Sequence, residues 1–512
     1  MRASESALSG RRFQLVVIGG GIQGLAIARE AALAGASVLV LEQEDFGAGT
    51  SSRSSKLIHG GVRYLEQGRL GLLREALHER ERLLRQAPHL VRPVPMLMPF
   101  FADGGKSPLL LRLGLLLYQL LAGRSTLPRP RQLTSARCLA AFPGLRSRGL
   151  LGGSLYWDAA TQDQRLTLAV AIDAAECGAH LLNHAGVVGV RGDALVVRGT
   201  EGEWSVRAEA IVNAAGPHAD PVRRLLGIDG PDLVRVSRGS HLVLAPRAGE
   251  TALAAFLPDG RIQFVIPHPD GTVVGTTEVE EALADTPTVP EEDVRYLLDA
   301  LAYLLEAPPA RDAVRAAWGG WRSLPQGRGA AGVLRREAHT VAERSAAGIV
   351  HTVVGGKLTT HRAFGERVAR ALRFGRGPSP TRTRPLPGGE GPHEPADPLW
   401  QRHGSRAAEV RALCAARPAL ARPLCPHLGF LAAEAVHALR SQAVVTFEDL
   451  MLRRLVHLQG PCLEPECLRT AFEHFAAERP AAPAFADAVA GLRAAVARRD
   501  GALRGAGGSG PS

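Results

Sequence analysis

FQLVVIGGGIQGLAIAREAALAGASVLVLE, from Phe13 to Glu42, decides the fold. A short apolar run (FQLVVI) is followed by glycines and then by a helix-like stretch from Ile22 to Ala34. Gly35 suits the end of that helix, and Ala36–Leu41 (ASVLVL) reads as a second strand ending at Glu42. Strand, helix and strand in this order make a βαβ unit, so an α/β fold is expected. Gly19-Gly20-Gly21-Ile22-Gln23-Gly24 fits GxGxxG. The pattern alone is weak, but here it lies between a strand and a helix and is followed by an acid at the next strand end. Gly19 permits the tight turn, Gly21 lets the backbone approach a pyrophosphate, and Gly24 lets helix pack on strand. The helix N-terminus, with Ile22 and Gln23, faces the phosphates, and Glu42 accepts from ribose hydroxyls.

The next segments favour FAD over NAD. Gly47–Ser55 (GAGTSSRSS) is a small, hydroxyl-rich loop suited to a pyrophosphate and a flavin edge. After another apolar strand comes Asn213-Ala214-Ala215-Gly216, a turn able to close over the cofactor.

The longer run from Gly47 to Leu65, GAGTSSRSSKLIHGGVRYL, resembles the signature of the FAD-dependent glycerol-3-phosphate dehydrogenase family. NAAGP (Asn213–Pro217), RGSH (Arg238–His241), GTT (Gly275–Thr277) and GGKLTT (Gly355–Thr360) resemble the family in the same order, and so do GSRAAEV (Gly404–Val410) and PLCP (Pro423–Pro426). The resemblance implies a Rossmann-like FAD-binding domain, an antiparallel-sheet substrate domain of the D-amino-acid-oxidase-like kind, and an all-helical C-terminal cap. It implies oxidation of glycerol 3-phosphate with electrons passed to membrane quinone, and a homodimer is compatible with it. FAD contacts are expected at Thr50, Ser51, Ser52, Ser55, Lys56, Leu57, His59, Gly60, Gly61, Val188, Ala215, Gly216, Gly356, Lys357, Leu358 and Thr359. A dianionic phosphate asks for arginine, whose fork is bidentate and always charged. By motif position Arg63, Tyr64, Arg322, Arg336 (or Arg335) and Lys357 are the substrate-binding candidates, and His241 is the expected base, with an ordinary pKa near 6.5. The chain departs from the family at His218, Trp321, Ser323 and His361, and has Glu278-Val-Glu280 where the family often has Asp-x-Asp.

At 512 residues the chain should hold two or three domains. The expected division is a discontinuous FAD domain at 13–100, 150–233 and 340–375, and a substrate domain at 101–149 and 234–339. A linker at 376–399, a helical domain at 400–500 and a disordered tail at 501–512 complete it. Residues up to Arg12 lack the apolar core of a signal peptide and read as a disordered lead-in. Six scattered cysteines fit a reducing cytosol. The tightest pair, Cys462 and Cys467, lacks a nearby histidine in sequence, so no metal site is expected.

The net charge is +11, and the stretch 101–150 carries eight bases against one acid. Such a field attracts an anionic partner, or is a solvated surface. Within it, Pro108–Ala122 (PLLLRLGLLLYQLLA) is shorter than the roughly 20 residues that span a bilayer. It is a buried core helix or a segment lying in an anionic membrane interface. The membrane reading places the protein in the cytoplasm, peripherally attached to the inner face of the cell membrane. Alternatives are an oxidase using oxygen, or a flavin dehydrogenase of another 2-hydroxy acid or amine. A nucleic-acid-binding role rests only on the high pI, lacks a stacking platform or motif, and is set aside.

Overall fold

A computed structural model of the chain describes residues 1–61, 68–104, 106–245, 249–327 and 337–505. The opening apolar runs become strands Arg12–Ile18 and Val38–Leu41, paired in parallel, with helix Ile22–Leu33 crossing between them. All four residues of Val38–Leu41 are buried, as expected of a strand covered on both faces. Strand Glu203–Asn213 pairs in parallel with Arg12–Ile18 on its other side, and Gly348–Val354 pairs in parallel beyond it. The order across this eight-stranded sheet is 339–345, 348–354, 203–213, 12–18, 38–41, 180–182, with a hairpin at 186–198 completing it. Helix Ile22–Leu33 is buried on nearly every side because helices Asp163–Glu176 and His361–Ala371 pack against it.

The second, ten-stranded sheet is mixed and mostly antiparallel. One long ladder joins Val234–Leu244 to Val314–Pro325, and another of equal length joins Val91–Phe101 to Leu150–Thr161. These last two strands were expected in the FAD domain, yet they pair into the second sheet. Nothing in the local pattern of either strand names its partner.

Two further expectations are corrected. The first residues are not a loose lead-in: Leu8 is buried, the Ala3 N–H donates to Leu181 O at 2.9 Å, and Glu5 pairs with Arg2 at 2.8 Å. The stretch 376–399 is anchored, with Gln86 donating to Thr381 O at 2.7 Å and Ser379 Oγ donating to Glu30 at 2.5 Å. Of the expected tail, residues 506–512 lie outside the described residues.

The C-terminal region is helical, with its own core of Phe430, Val436, Leu450, Leu468, Phe475 and Leu492 among others. It is fastened to the nucleotide-binding half by a buried ion pair, Arg454 to both oxygens of Asp45 at 2.6 and 2.8 Å. No helix among the described residues is long and apolar enough to cross a membrane. Helix Pro108–Ala122 is neither wholly buried nor wholly exposed. It buries Leu111, Leu115, Tyr118 and Ala122, and exposes Leu109, Leu110, Leu113, Leu116 and Leu120.

Candidate active site

Four parallel strands end on one side of the first sheet, at Ile18, Leu41, Asn213 and Val354. The loops leaving them enclose a cavity of about 750 Å³. This is the carboxyl edge of a doubly wound sheet, where such folds bind nucleotides. Gly19 has φ +110°, and a Cβ there would lie 2.6 Å from Ala214 O. Only glycine turns the chain this tightly beside its neighbour strand. A Cβ on Gly24 would lie 2.1 Å from Gly19 O, so that glycine lets the helix sit on the turn. Glu42 receives the Gly20 N–H at 2.6 Å and the Glu44 N–H at 2.8 Å, while burial raises its carboxyl to about 7. Ser51 Oγ receives the Ile22 N–H at 2.9 Å, which places the hydroxyl loop against the helix N-terminus. Gln23 donates to Lys357 O at 3.0 Å, tying the glycine turn to the Gly355–Thr360 turn. Backbone donors, the half-buried Glu42 carboxyl and hydroxyls around one cavity fit a dinucleotide such as FAD.

The other wall of the cavity is one face of the long ladder. His241 stands opposite Trp318, Gly239 opposite Gly320, and Ser237 opposite Arg322. Side chains alternate along a strand, so these positions share a face. The His241 ring stacks on Trp318 with centroids 5.3 Å apart, and its Nε2 lies 2.8 Å from Ser55 Oγ. Gly275, across the other ladder, leaves room for it: a Cβ there would lie 2.2 Å from the imidazole. Burial first, then the charges of Arg322 and Lys56, hold the His241 pKa well below its usual value. The ring is therefore neutral. Arg322 lies over Gly239, donates to Thr276 Oγ1 at 2.8 Å, and has Glu278 at 3.5 Å.

Most of the expected residues line the cavity: Gly19, Gly21, Ile22, Gln23, Glu42, Thr50, Ser51, Ser55, Leu57, His59, Gly61, Ala215, Gly216, Gly356, Lys357, Leu358, Thr359, His241 and Arg322. Five cofactor candidates do not. Gly24 lies beneath the turn. Lys56 turns away to Asp163 at 2.5 Å, and the Ser52 hydroxyl bonds back to Gly49 O at 3.2 Å. Gly60 faces Leu73, Leu77 and Tyr118, and Val188 is the extra residue of a bulge between Val187 and Gly189, so that Gly186 and Val187 line the cavity instead. Arg63, Tyr64, Arg335 and Arg336 lie outside the described residues.

Several contributors carry no local sequence signal. Asp163, first in its helix, receives Ser54 N–H at 3.0 Å, Ser54 Oγ at 2.7 Å and Lys56 Nζ, and so fixes the hydroxyl loop. Trp318 supports His241. Tyr118, on the Pro108–Ala122 helix, receives the Gly60 N–H at 2.9 Å and donates to Asp158 at 2.8 Å. These groups meet only through the packing of distant segments.

Comparison with known proteins agrees with this architecture. Residues 14–362 match the family described as FAD dependent oxidoreductase, and residues 353–480 match the C-terminal domain of alpha-glycerophosphate oxidase. A glycerol-3-phosphate dehydrogenase of Synechocystis sp. is 32% identical over 489 residues, covering 86% of this chain and 88% of that one. Glycerol-3-phosphate dehydrogenase 2 of Mycobacterium tuberculosis is 33% identical over 499 residues, covering 91% of this chain and 85% of its own length. The crystal structure of the glycerol-3-phosphate dehydrogenase from Bacillus halodurans complexed with FAD superposes with a TM-score of 0.75 at 26% identity, covering 97% of each chain.

Proposed function

The chain belongs to the FAD-dependent glycerol-3-phosphate dehydrogenase family, and on that premise we propose that it oxidises sn-glycerol 3-phosphate to dihydroxyacetone phosphate and passes the electrons to a membrane quinone. The observation that carries the reading is the shared face of His241 and Arg322 over the cofactor cavity. FAD, when bound, supplies the two-electron acceptor for the hydride leaving the alcohol carbon. Gly19, Gly21, Glu42 and Ser51 would hold its nucleotide half.

Arg322 anchors the substrate phosphate, displacing Glu278 as its partner. His241 Nε2 takes the hydroxyl proton, with Ser55 holding the ring at the cavity wall. Anchoring and proton transfer are coupled. Arg322 is one of the charges that depress His241, so a dianion on Arg322 cancels part of that effect and raises the imidazole's proton affinity as substrate binds.

The membrane part of the proposal rests on helix Pro108–Ala122. Leu109, Leu113, Leu116 and Leu120 follow an i, i+4, i+7, i+11 spacing, which puts them on one exposed stripe, with Leu110 beside it. Arg112 and Arg124, both exposed, accompany the stripe. Apolar groups with basic neighbours suit an anionic lipid interface. Through Tyr118 the same helix touches Gly60, next to the cavity-lining His59 and Gly61.

Anaerobic addition of glycerol 3-phosphate should bleach the flavin absorbance, whereas glycerol, lactate, sarcosine and D-amino acids should not. A soluble quinone analogue should then restore the colour faster than air. Bleaching by a carboxylate substrate alone would overturn the substrate assignment, and faster recovery in air would make the enzyme an oxidase.

A further inference from the structure

Cys425 and His427 sit on a tight loop of the helical domain. Its ends are pinned by Leu424 N–H to Phe430 O at 2.7 Å and Ala432 N–H to Arg422 O at 3.0 Å, with Gly429 turning at φ +68°. Cys462 precedes helix Pro465–Glu478, and Cys467 lies in its first turn. The fold brings the two segments together, and this corrects the sequence expectation that Cys462 and Cys467 lack a histidine. His427 Nδ1 lies 3.3 Å from Cys462 Sγ and 3.6 Å from Cys467 Sγ. The donor atoms of all four residues, Cys425 included, lie within 4.8 Å of one another.

We propose that Cys425, His427, Cys462 and Cys467 bind one structural zinc ion that staples the 422–432 loop to the start of helix Pro465–Glu478. Three thiolates and an imidazole form a Cys₃His set, one of the ligand combinations of structural zinc. With bonds of about 2.3 Å to sulfur and 2.0–2.1 Å to nitrogen, tetrahedral geometry puts neighbouring donors about 3.5–3.8 Å apart. The two sulfur–nitrogen separations, 3.3 and 3.6 Å, lie close to that edge, and all four donors lie within 4.8 Å of one another, a span that a small inward shift closes on one ion. A two-iron cluster divides its ligands between two metals and needs a wider set. All four positions are filled by protein, so the site has no opening for catalysis. Leu424, Leu428, Phe430, Met451, Leu455 and Ala471 wall the site. None of the four residues lines the cofactor cavity, which fits a structural role for the ion.

The test is metal analysis of the full-length holoenzyme purified under reducing conditions without chelator. About one zinc per chain is expected, with an X-ray absorption spectrum fitted by three sulfurs and one nitrogen. Cys462→Ser with Cys467→Ser should lower the zinc content at least about tenfold, and Cys138→Ser with Cys414→Ser should leave it unchanged. Should the first pair fail to fold, cobalt(II) exchange into the wild-type protein serves instead. It should give a thiolate charge-transfer band and the intense visible bands of tetrahedral cobalt. Zinc-free protein from zinc-supplemented cells, zinc retained in the Cys462/Cys467 variant, iron with acid-labile sulfide, or a Cys462–Cys467 disulfide in peptide mapping would each overturn the assignment.

Discussion

His241 is held between an indole, a hydroxyl and two cations, and each leaves a measurable trace. Replacing it with asparagine should slow flavin reduction by about 10²–10⁴-fold in stopped-flow, with little change in KM, because it acts on the proton and not the anchor. Arg322→Ala should lower kcat/KM at least about tenfold, since a charge-assisted pair exceeds the roughly 1.4 kcal/mol that makes a decade. The pH profile separates the two roles further. A depressed imidazole stays neutral and able to accept a proton below its usual range near 6.5, so the reductive rate should fall only at more acidic pH. Removing Arg322 lifts part of the depression, so in Arg322→Ala that acid limb should move to higher pH. An unmoved limb would mean that the guanidinium does not act on the base. At the turn, Gly19→Ala must accept φ +110° and a Cβ 2.6 Å from Ala214 O. The variant should purify with a strongly reduced flavin-to-protein absorbance ratio; full retention of FAD would show that the loop yields.

At the scale of the element, the Pro108–Ala122 helix carries two apolar stripes on opposite sides. The inner stripe packs Leu111, Leu115 and Tyr118 into the protein, and the outer one presents five leucines to solvent. A bland surface helix has no reason for the second stripe, because exposed apolar area is normally scattered. Burying a leucine in an apolar environment contributes about 1.5–3 kcal/mol. Leu113→Glu with Leu116→Glu should therefore weaken cosedimentation with anionic liposomes at least about 100-fold. Turnover with a soluble dye acceptor should persist, because neither residue faces the cavity. Unchanged liposome binding would assign the stripe to some other contact.

For the whole molecule, the buried histidines set the response to acid. Burial holds His361 and His437 near about 4, whereas both would titrate near 6.5 in the unfolded chain. The unfolded state thus binds more protons below about pH 6.5, and stability is lost as pH falls through that value. At pH 5 the loss is about 2 kcal/mol for each of these two residues. Glu42, raised by burial to about 7, works in the opposite sense and offsets about one of them. The net expectation is a lower Tm at pH 5 than at pH 7 by scanning calorimetry. An equal or higher Tm at pH 5 would mean that these imidazoles are solvated in solution.

The sequence by itself determined the βαβ opening, the glycine turn and the acid that closes it. Each is a local matter: a period of apolar residues, a φ that only glycine adopts, and a few neighbouring residues that must lie in that order. The hydroxyl loop and the Gly355–Thr360 turn were readable for the same reason. Partner choice was not. Val91–Phe101, with three prolines, and Leu150–Thr161, with its Gly-Gly-Ser, give no clear strand pattern, and which sheet they join depends on segments far along the chain. His241 and Arg322 lie on separate strands, and only the register of the ladder between Val234–Leu244 and Val314–Pro325 puts them on one face. Cys425 and His427 meet Cys462 and Cys467 only when two helical-domain segments pack together. Alternation along a strand tells which residues share a face, but the strand beside it is chosen by burial summed over the whole core, and that sum exists only in the folded molecule.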